Sequence, residues 1–386
     1  MIALSILFAL GCFGLLTSTV FAGMVLAGAR HHLRTRREVV DFTPPLSLLK
    51  PLHGAEPGLE ANLATFFEQH YPAFEILFCA RTEDDAGLAI ARRVAARYPQ
   101  VTARFFCAGP LRMSNAKAQS MEVMAAAAQH EILVVSDSDV RVRPEYLRAV
   151  AAAFADARVG AMTCLYRGVA AEGGLWSRLE AVGMSVEMTA GVLVANMLEG
   201  MRFVLGPTMA FRAEALRQMG GFAVTADYCA DDFVLGSQTF EHGWKVALSH
   251  HAIDHMVLHA RFIASLRHQT RWMKSTRFSR PKGHFGTSLT FSMPFALVAC
   301  GSALAMQRPA LALAALAWGL ATRVAIAWAA GWRVVGDRSW LNALVLYPLR
   351  DLMGFGFWAA SYLSSKVLWR GRVYRLLPGG RMEVAD

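Results

Sequence analysis

Residues 131–140 read EILVVSDSDV, and the fold turns on them. An apolar run of strand length, ILVV, passes directly into two aspartates one residue apart. Strands of a parallel sheet are buried on both faces, so they read as continuous apolar runs. Ligands of such sheets sit beyond the carboxyl ends of the strands. A pair at that place brings Asp137 and Asp139 within reach of one hard cation. Mg²⁺ takes one or two carboxylates and leaves its other positions to phosphate oxygens, so the pair points to a bound diphosphate.

Working outward, LSLLKPL (46–52), FEILFCA (74–80) and TARFF (102–106) are further strand-length runs. Helical patterns fill the gaps at 59–69, 88–98, 117–129 and 146–157. That alternation predicts an α/β domain with a largely parallel sheet over residues 44–260. Two more acidic groups fall where ligands are expected: Glu83-Asp84-Asp85 after FEILFCA, and Asp231-Asp232 opening a helical stretch. Asp84 or Asp85 standing alone reads as a helix cap. Lys117, in SNAK (114–117), reads first as a solvated helix start and second as a ligand of the diphosphate.

The flanks are apolar. The chain of 386 residues is 55% hydrophobic and only 18% charged, against about 25% in soluble domains. Residues 1–29 carry no charged side chain, enough for a spanning helix, and RHHLRTRR (30–37) comes directly after. The length of the run and the absence of Lys or Arg before it favour an uncleaved anchor over a signal peptide. The basic linker 30–43 then places the α/β domain on the cytoplasmic side. Two more apolar runs, 285–306 and 309–332, are separated by Gln307-Arg308-Pro309, with Arg323 placed to snorkel toward one end. A last run, 340–365, is interrupted by Arg350-Asp351, which leaves open whether it spans. Beyond residue 284 ten Lys/Arg face four acids, so much of the +10 net charge flanks apolar segments. Lipid headgroups, not nucleic acid, are the partner this distribution suits. Six scattered cysteines without a CxxC pair exclude a zinc ribbon or disulfide framework.

LRHQTRWMKSTR (266–277) sets Arg267, Arg271, Lys274 and Arg277 around Trp272 on a helical stretch, within an interfacial segment 261–284. It fits an interfacial helix with Trp272 at headgroup level, and equally a cationic clamp on a leaving diphosphate. His251, His255 and His259 are spaced to bind zinc if they share a helix, but KVALSHH before them reads as a strand. The apolar stretch 192–201, with Met184 and Met188 nearby, reads as core first and as the floor of a lipid pocket second.

Taken together these motifs resemble glycosyltransferase family 21, the ceramide glucosyltransferase group, including the bacterial branch tied to hopanoid biosynthesis. Lys50-Pro51-Leu52 resembles the family's opening, Asp84, Asp137 and Asp232 its three aspartates, and His268-Gln269-Thr270-Arg271-Trp272 its (Q/R)xxRW motif. Gly371-Arg372-Val373-Tyr374-Arg375, in the basic tail 369–386, resembles its end segment. His268 departs from the Gln or Arg that opens the motif, and Asp139 completes a D-x-D that the animal enzymes lack.

The resemblance implies a GT-A fold between transmembrane helices at both ends, the second set over 285–368. It implies an integral membrane protein, in a bacterium of the inner membrane, with the catalytic domain cytoplasmic. The implied reaction is inverting transfer of glucose or N-acetylglucosamine from a UDP-sugar to the hydroxyl of a ceramide or a hopanoid polyol. A processive polysaccharide synthase, the alternative, generally has more spans. In the implied roles Asp84, Lys117 and His268 serve the nucleotide, Asp137 and Asp139 hold Mg²⁺ or Mn²⁺ on the UDP diphosphate, and Asp232 is the general base. Arg271 and Trp272 close that end of the site.

Overall fold

The computed structural model describes residues 1–35, 41–171, 173–258, 261–369 and 371–385. The four runs expected as strands form β1 (Leu46–Pro51), β2 (Phe74–Ala80), β3 (Thr102–Cys107) and β4 (Ile132–Ser136). β5 (Val140–Arg141), β6 (Val159–Ala170), β7 (Thr208–Arg212) and β8 (Lys245–Val257) complete one sheet, ordered β3-β2-β1-β4-β7-β6-β8-β5. β3, β2, β1 and β4 run parallel, as do β6 and β8, while β7 is antiparallel to both β4 and β6. This is the mostly parallel sheet of an α/β domain. The central strands are apolar because both faces are covered: Leu46, Leu48, Leu49, Val134 and Val135 are wholly buried. Each such side chain stabilises the fold by roughly 1.5–3 kcal/mol. The acid-bearing connections leave the sheet at strand ends or at a helix start.

The N-terminal run is one helix, Ile2–Arg34, long and apolar enough to cross a membrane. Among the described residues two other helices meet the same measure, Leu175–Glu199 and Pro309–Val334. The first of these lies inside the stretch read as the α/β domain and contains residues 192–201 in part. It packs against the N-terminal helix where Gly28 meets Leu193, so close that a Cβ on Gly28 would touch the Leu193 carbonyl. Val192 and Leu193 are buried there, while Met188 and Leu198 stay exposed.

The membrane part departs from the expectation in two ways. The run 285–306 is not one span: a short helix ends at Thr287 and a second, Met293–Ala305, starts afresh. Its first two free amides, Ser292 N and Met293 N, donate to Asp351 Oδ2 at 2.8 and 2.7 Å. A carboxylate at a helix start satisfies the orphan amides and suits the macrodipole. Arg323 does not snorkel; it is buried, with Nη1 2.7 Å from Asp351 Oδ1. Burial next to a partner charge replaces the route to water that a snorkelling arginine needs. The last apolar run is the one that the sequence leaves open. It forms the helix Trp340–Ala360, whose Arg350-Asp351 pair points inward, with Arg350 Nη2 3.0 Å from Glu187 Oε2.

Helices Met293–Ala305 and Pro309–Val334 make a hairpin. Its turn, where Gln307 takes φ 57°, lies near the start of the N-terminal helix, with Ser5 Oγ 3.9 Å from Met306 Sδ. The chain then returns to the domain. Strands β9 (Lys366–Trp369), β10 (Arg372–Leu376) and β11 (Met382–Val384) form a small antiparallel sheet on it. Met382 N donates to Asp227 O at 2.7 Å and Tyr374 OH to Ser114 O at 3.3 Å. The tail therefore packs directly against the α/β domain.

Candidate active site

The D-x-D loop leaves β4 at Ser136. Lys117 reaches it from the start of the helix Ala116–Ala127, whose cap, Asn115, accepts from Lys117 N at 2.9 Å. The Asn115 amide also donates to Tyr228 O at 3.1 Å, which fixes this helix start against the segment carrying the third acidic group. Lys117 Nζ lies 2.7 Å from Asp137 Oδ1 and 3.6 Å from Asp231 Oδ2. Lys117 is thus buried among carboxylates rather than a solvated helix start. Burial alone would lower its pKa, but Asp137 and Asp231 outweigh that and raise it.

Asp139 is held from β8: its Oδ2 lies 3.2 Å from His255 Nε2. Burial opposes the charged carboxylate, yet the His255 contact keeps Asp139 below its ordinary range. His251 and His255 stand on a strand, not a helix, and His251 faces the ring of Tyr146 at 6.1 Å. The zinc spacing is therefore not realised for these two, and His259 lies outside the described residues.

Asp232 opens the helix Asp231–Glu241. Its Oδ2 accepts from Gly206 N at 3.0 Å and its Oδ1 from Phe233 N at 2.8 Å. A Cβ on Gly206 would sit 3.4 Å from Asp232 Oδ2 and 3.9 Å from Asp137 Oδ2, so these two carboxylates face each other across that glycine. Burial and the neighbouring Asp231 push the Asp232 carboxyl up to about 6, against the two amides and Lys117. That is a suitable value for a group that accepts a proton near neutral pH.

Lys50, quoted in the sequence only as part of an opening motif, is wholly buried beneath the D-x-D loop. Its Nζ donates to Asp137 O at 2.6 Å and sits 3.7 Å above the Phe66 ring. Burial lowers its pKa to about 7, although Asp137 and Asp139 pull the other way.

Asp84 stays apart: it is exposed in the turn after β2. Its neighbour Asp85 is the residue tied in, capping the next helix through Gly87 N at 2.8 Å and accepting from Gly54 N at 3.0 Å.

The helix Phe262–Ser279 carries the basic-aromatic motif. Trp272 is half-buried against the domain core, its ring 4.5 Å from His268. Exposed Phe262 and Ile263 present apolar surface. His268 Nδ1 lies 2.7 Å from Glu180 Oε1, and Ser265 Oγ donates to Glu180 Oε2 at 2.5 Å. Glu180 stands on Leu175–Glu199, so this buried carboxylate joins the motif helix to one of the long apolar helices. Arg271 has its guanidinium 5.9 Å from the Trp369 ring of β9. Lys274 and Arg277 bond to the Lys366 and Ser361 carbonyls at 2.8 and 2.6 Å. Much of the basic character is therefore engaged with the returning chain.

Among the described residues no three His, Cys, Asp or Glu side chains are arranged to hold a metal by themselves. The D-x-D pair nevertheless fits a divalent cation. Asp139 Oδ1 is buried without a hydrogen-bond partner, and the Asp137 and Asp232 carboxylates both approach Gly206. A hard cation completed by phosphate oxygens needs little more from the protein.

The model of glycosyl transferase family 21 matches residues 12–382, nearly the whole chain. The chain belongs to glycosyltransferase family 21. It is 24% identical to ceramide glucosyltransferase 1 of Caenorhabditis elegans over 63% of its own length and 52% of that protein's. A shorter match, 31% identical, covers 28% of the chain and 23% of the ceramide glucosyltransferase of Komagataella phaffii. This family 21 chain spans about half the length of the first of these relatives. Among solved structures, the mannosyltransferase PcManGT of Pyrobaculum calidifontis, in complex with GDP-mannose and Mn²⁺, superimposes with a TM-score of 0.56. That alignment covers 92% of the chain and 98% of the other at 16% identity, which establishes a shared GT-A fold.

Four residues of the family 21 site escaped the sequence reading of roles: Lys50, Gly206, His255 and Glu180. Lys50 had a signal, a charge inside a strand-length apolar run. His255 was visible only through its spacing with His251 and His259; Gly206 and Glu180 had no signal, because their meaning comes from partners distant in the chain.

Proposed function

We propose that this chain is a membrane-bound inverting glycosyltransferase that moves one sugar from a UDP-sugar to the hydroxyl of a membrane lipid. The carrying observation is the meeting of Asp137, Asp139, Asp232 and Lys117 on one rim of the sheet, on a domain tied to apolar helices at both ends. The relatives named as ceramide glucosyltransferases support the lipid acceptor. Glucose or N-acetylglucosamine is the proposed sugar, and a ceramide or hopanoid polyol the proposed acceptor. The basic residues after the first helix support a cytoplasmic domain, and the chemistry suits a bacterial inner membrane.

Asp232 takes the proton of the acceptor hydroxyl, and the oxygen attacks the anomeric carbon as the bond to the diphosphate oxygen breaks. The electron pair leaves with UDP, so configuration inverts in a single displacement. Base catalysis of this kind contributes about 10²–10⁴-fold. Asp137 and Asp139 would hold Mg²⁺ or Mn²⁺; a bound divalent cation supplies charge to stabilise the departing diphosphate. Lys117, buried at the same place, adds a fixed positive charge that needs no reorganisation. Arg271 and Trp272 border the same region and exclude water from it.

The test uses full-length protein in nanodiscs with UDP-glucose or UDP-N-acetylglucosamine and either a ceramide or a hopanoid polyol, products being read by mass spectrometry. The proposal expects a lipid heavier by a single sugar. A polymer ladder would favour the processive synthase, and no transfer from any UDP-sugar would sink the reading.

A further inference from the structure

A cavity lies at the carboxyl ends of β1, β2 and β3, and none of Asp137, Asp139, Asp231 or Asp232 lines it. On the domain side it is lined by Leu52 and His53 after β1, Arg81 after β2, and Ser114. Its remaining wall comes from the opposite end of the chain: Trp369 of β9 with Arg372 and Tyr374 of β10. Arg372 and Tyr374 are two apart, and alternate residues of a strand share a face, so that face of β10 is the cavity wall. Arg375 belongs to the other face, pairing with Glu383 at 4.0 Å.

We propose that the carboxyl-terminal sheet completes the nucleotide site, Trp369 packing against the uracil and Arg372 facing the diphosphate. The inference rests on the UDP-sugar reading above and assigns to this tail a part of donor binding. Three observations carry it. The cavity sits where ligands of an open α/β sheet sit, and its wall includes Ala116, next to the Lys117 that contacts Asp137. Its lining combines an aromatic ring with the cations Arg81 and Arg372, the chemistry that a base and a phosphate require. The wall is also anchored to the catalytic parts. Trp369 receives Arg271 over its ring at 5.9 Å, Met382 N donates to Asp227 O at 2.7 Å, and the Tyr374 hydroxyl donates to Ser114 O at 3.3 Å. A tail held to the segment just before Asp231-Asp232 and to the motif helix can sense whether the donor is in place.

The experiment measures binding of UDP and of uridine to full-length wild type, Trp369→Ala, Arg372→Ala and Arg375→Ala in detergent micelles, with melting temperatures recorded for each. The wild type binds UDP. Arg372→Ala weakens UDP by about tenfold or more while leaving uridine nearly unchanged, since a charge-assisted contact to phosphate is what it loses. Trp369→Ala weakens both ligands, and Arg375→Ala neither. If wild type binds UDP and the folded Trp369→Ala and Arg372→Ala proteins bind it within twofold as tightly, the tail is not a wall of the site, and the donor reading stands without it. Equal losses in Arg375→Ala would also overturn the inference, because a general effect of positive charge would then suffice. No UDP binding by wild type would instead overturn the donor reading itself. Trp369→Phe guards against misfolding: it keeps a ring and should recover most of the affinity.

Discussion

The ammonium of Lys117 stands 2.7 Å from Oδ1 of Asp137, so the first carboxylate of the D-x-D pair is already neutralised from the start of a neighbouring helix. Asp231 shares the same cation at 3.6 Å. Two carboxylates depend on one lysine. Lys117→Met therefore leaves both without their cation, and a loss of about 1–3 kcal/mol in stability is expected, discounted for the partial exposure of Asp137. Denaturant or thermal unfolding checks this. A variant as stable as wild type would mean that the three charges relax independently.

Asp232 is held in the fold against its own ionisation. Its carboxyl is pushed from 3.8 up to about 6 by burial and by Asp231. A carboxyl raised in this way favours the fold in its neutral form. That contribution is present in full below the unfolded value and is lost as pH rises through the folded one. Asp232→Asn stays neutral throughout. The variant should come close to wild type in melting temperature at pH 4 and exceed it at pH 8, the gap opening between 3.8 and about 6. A gap independent of pH would contradict the assignment.

The Arg323–Asp351 pair is the clearest case of charge held among apolar helices. Removing only one member strands the other, at a cost of about 3–5 kcal/mol, whereas removing both is close to neutral. Asp351→Asn also weakens the cap on Met293–Ala305. Arg323→Met and Asp351→Leu should each lower the melting temperature in detergent, and the double variant should regain much of it. Additive losses in the double variant would show that the two do not act as a pair.

Glu180 links two helices through Ser265 and His268. Glu180→Ala leaves buried polar partners unsatisfied and should destabilise by about 1–3 kcal/mol. Because it acts through the motif helix, turnover should fall further than stability alone explains, with Glu180→Gln keeping part of both. Turnover per folded molecule decides the point; an unchanged value would confine Glu180 to a structural role.

The range of each interaction decides how legible it is in the sequence. β1 to β4 and their helices were readable because apolar runs and helical periods are local signals, and D-x-D at the end of ILVV was sharp for the same reason. Asp232 and Lys117 were visible as residues, but only the fold shows that Lys117 faces Asp137. The packing of Trp272 was not readable: an amphipathic pattern says that a tryptophan covers something, not that it covers His268. The membrane region failed where polar groups pair across helices, since Arg323 alone resembles a snorkelling residue until Asp351 is found beside it. The return of the tail to Asp227 and Ser114 has no local signature at all.

The most direct measurement is the pH dependence of sugar transfer by wild type and Asp232→Asn, in nanodiscs holding the lipid acceptor, with UDP binding measured on the same preparations. The account predicts that wild-type turnover rises with pH through about 6 as the Asp232 carboxyl ionises. It predicts a variant slower by about 10²–10⁴-fold, without that rise, and with UDP affinity nearly intact. A variant within a few-fold of wild type, or one retaining the same rise, would show that the proton goes elsewhere.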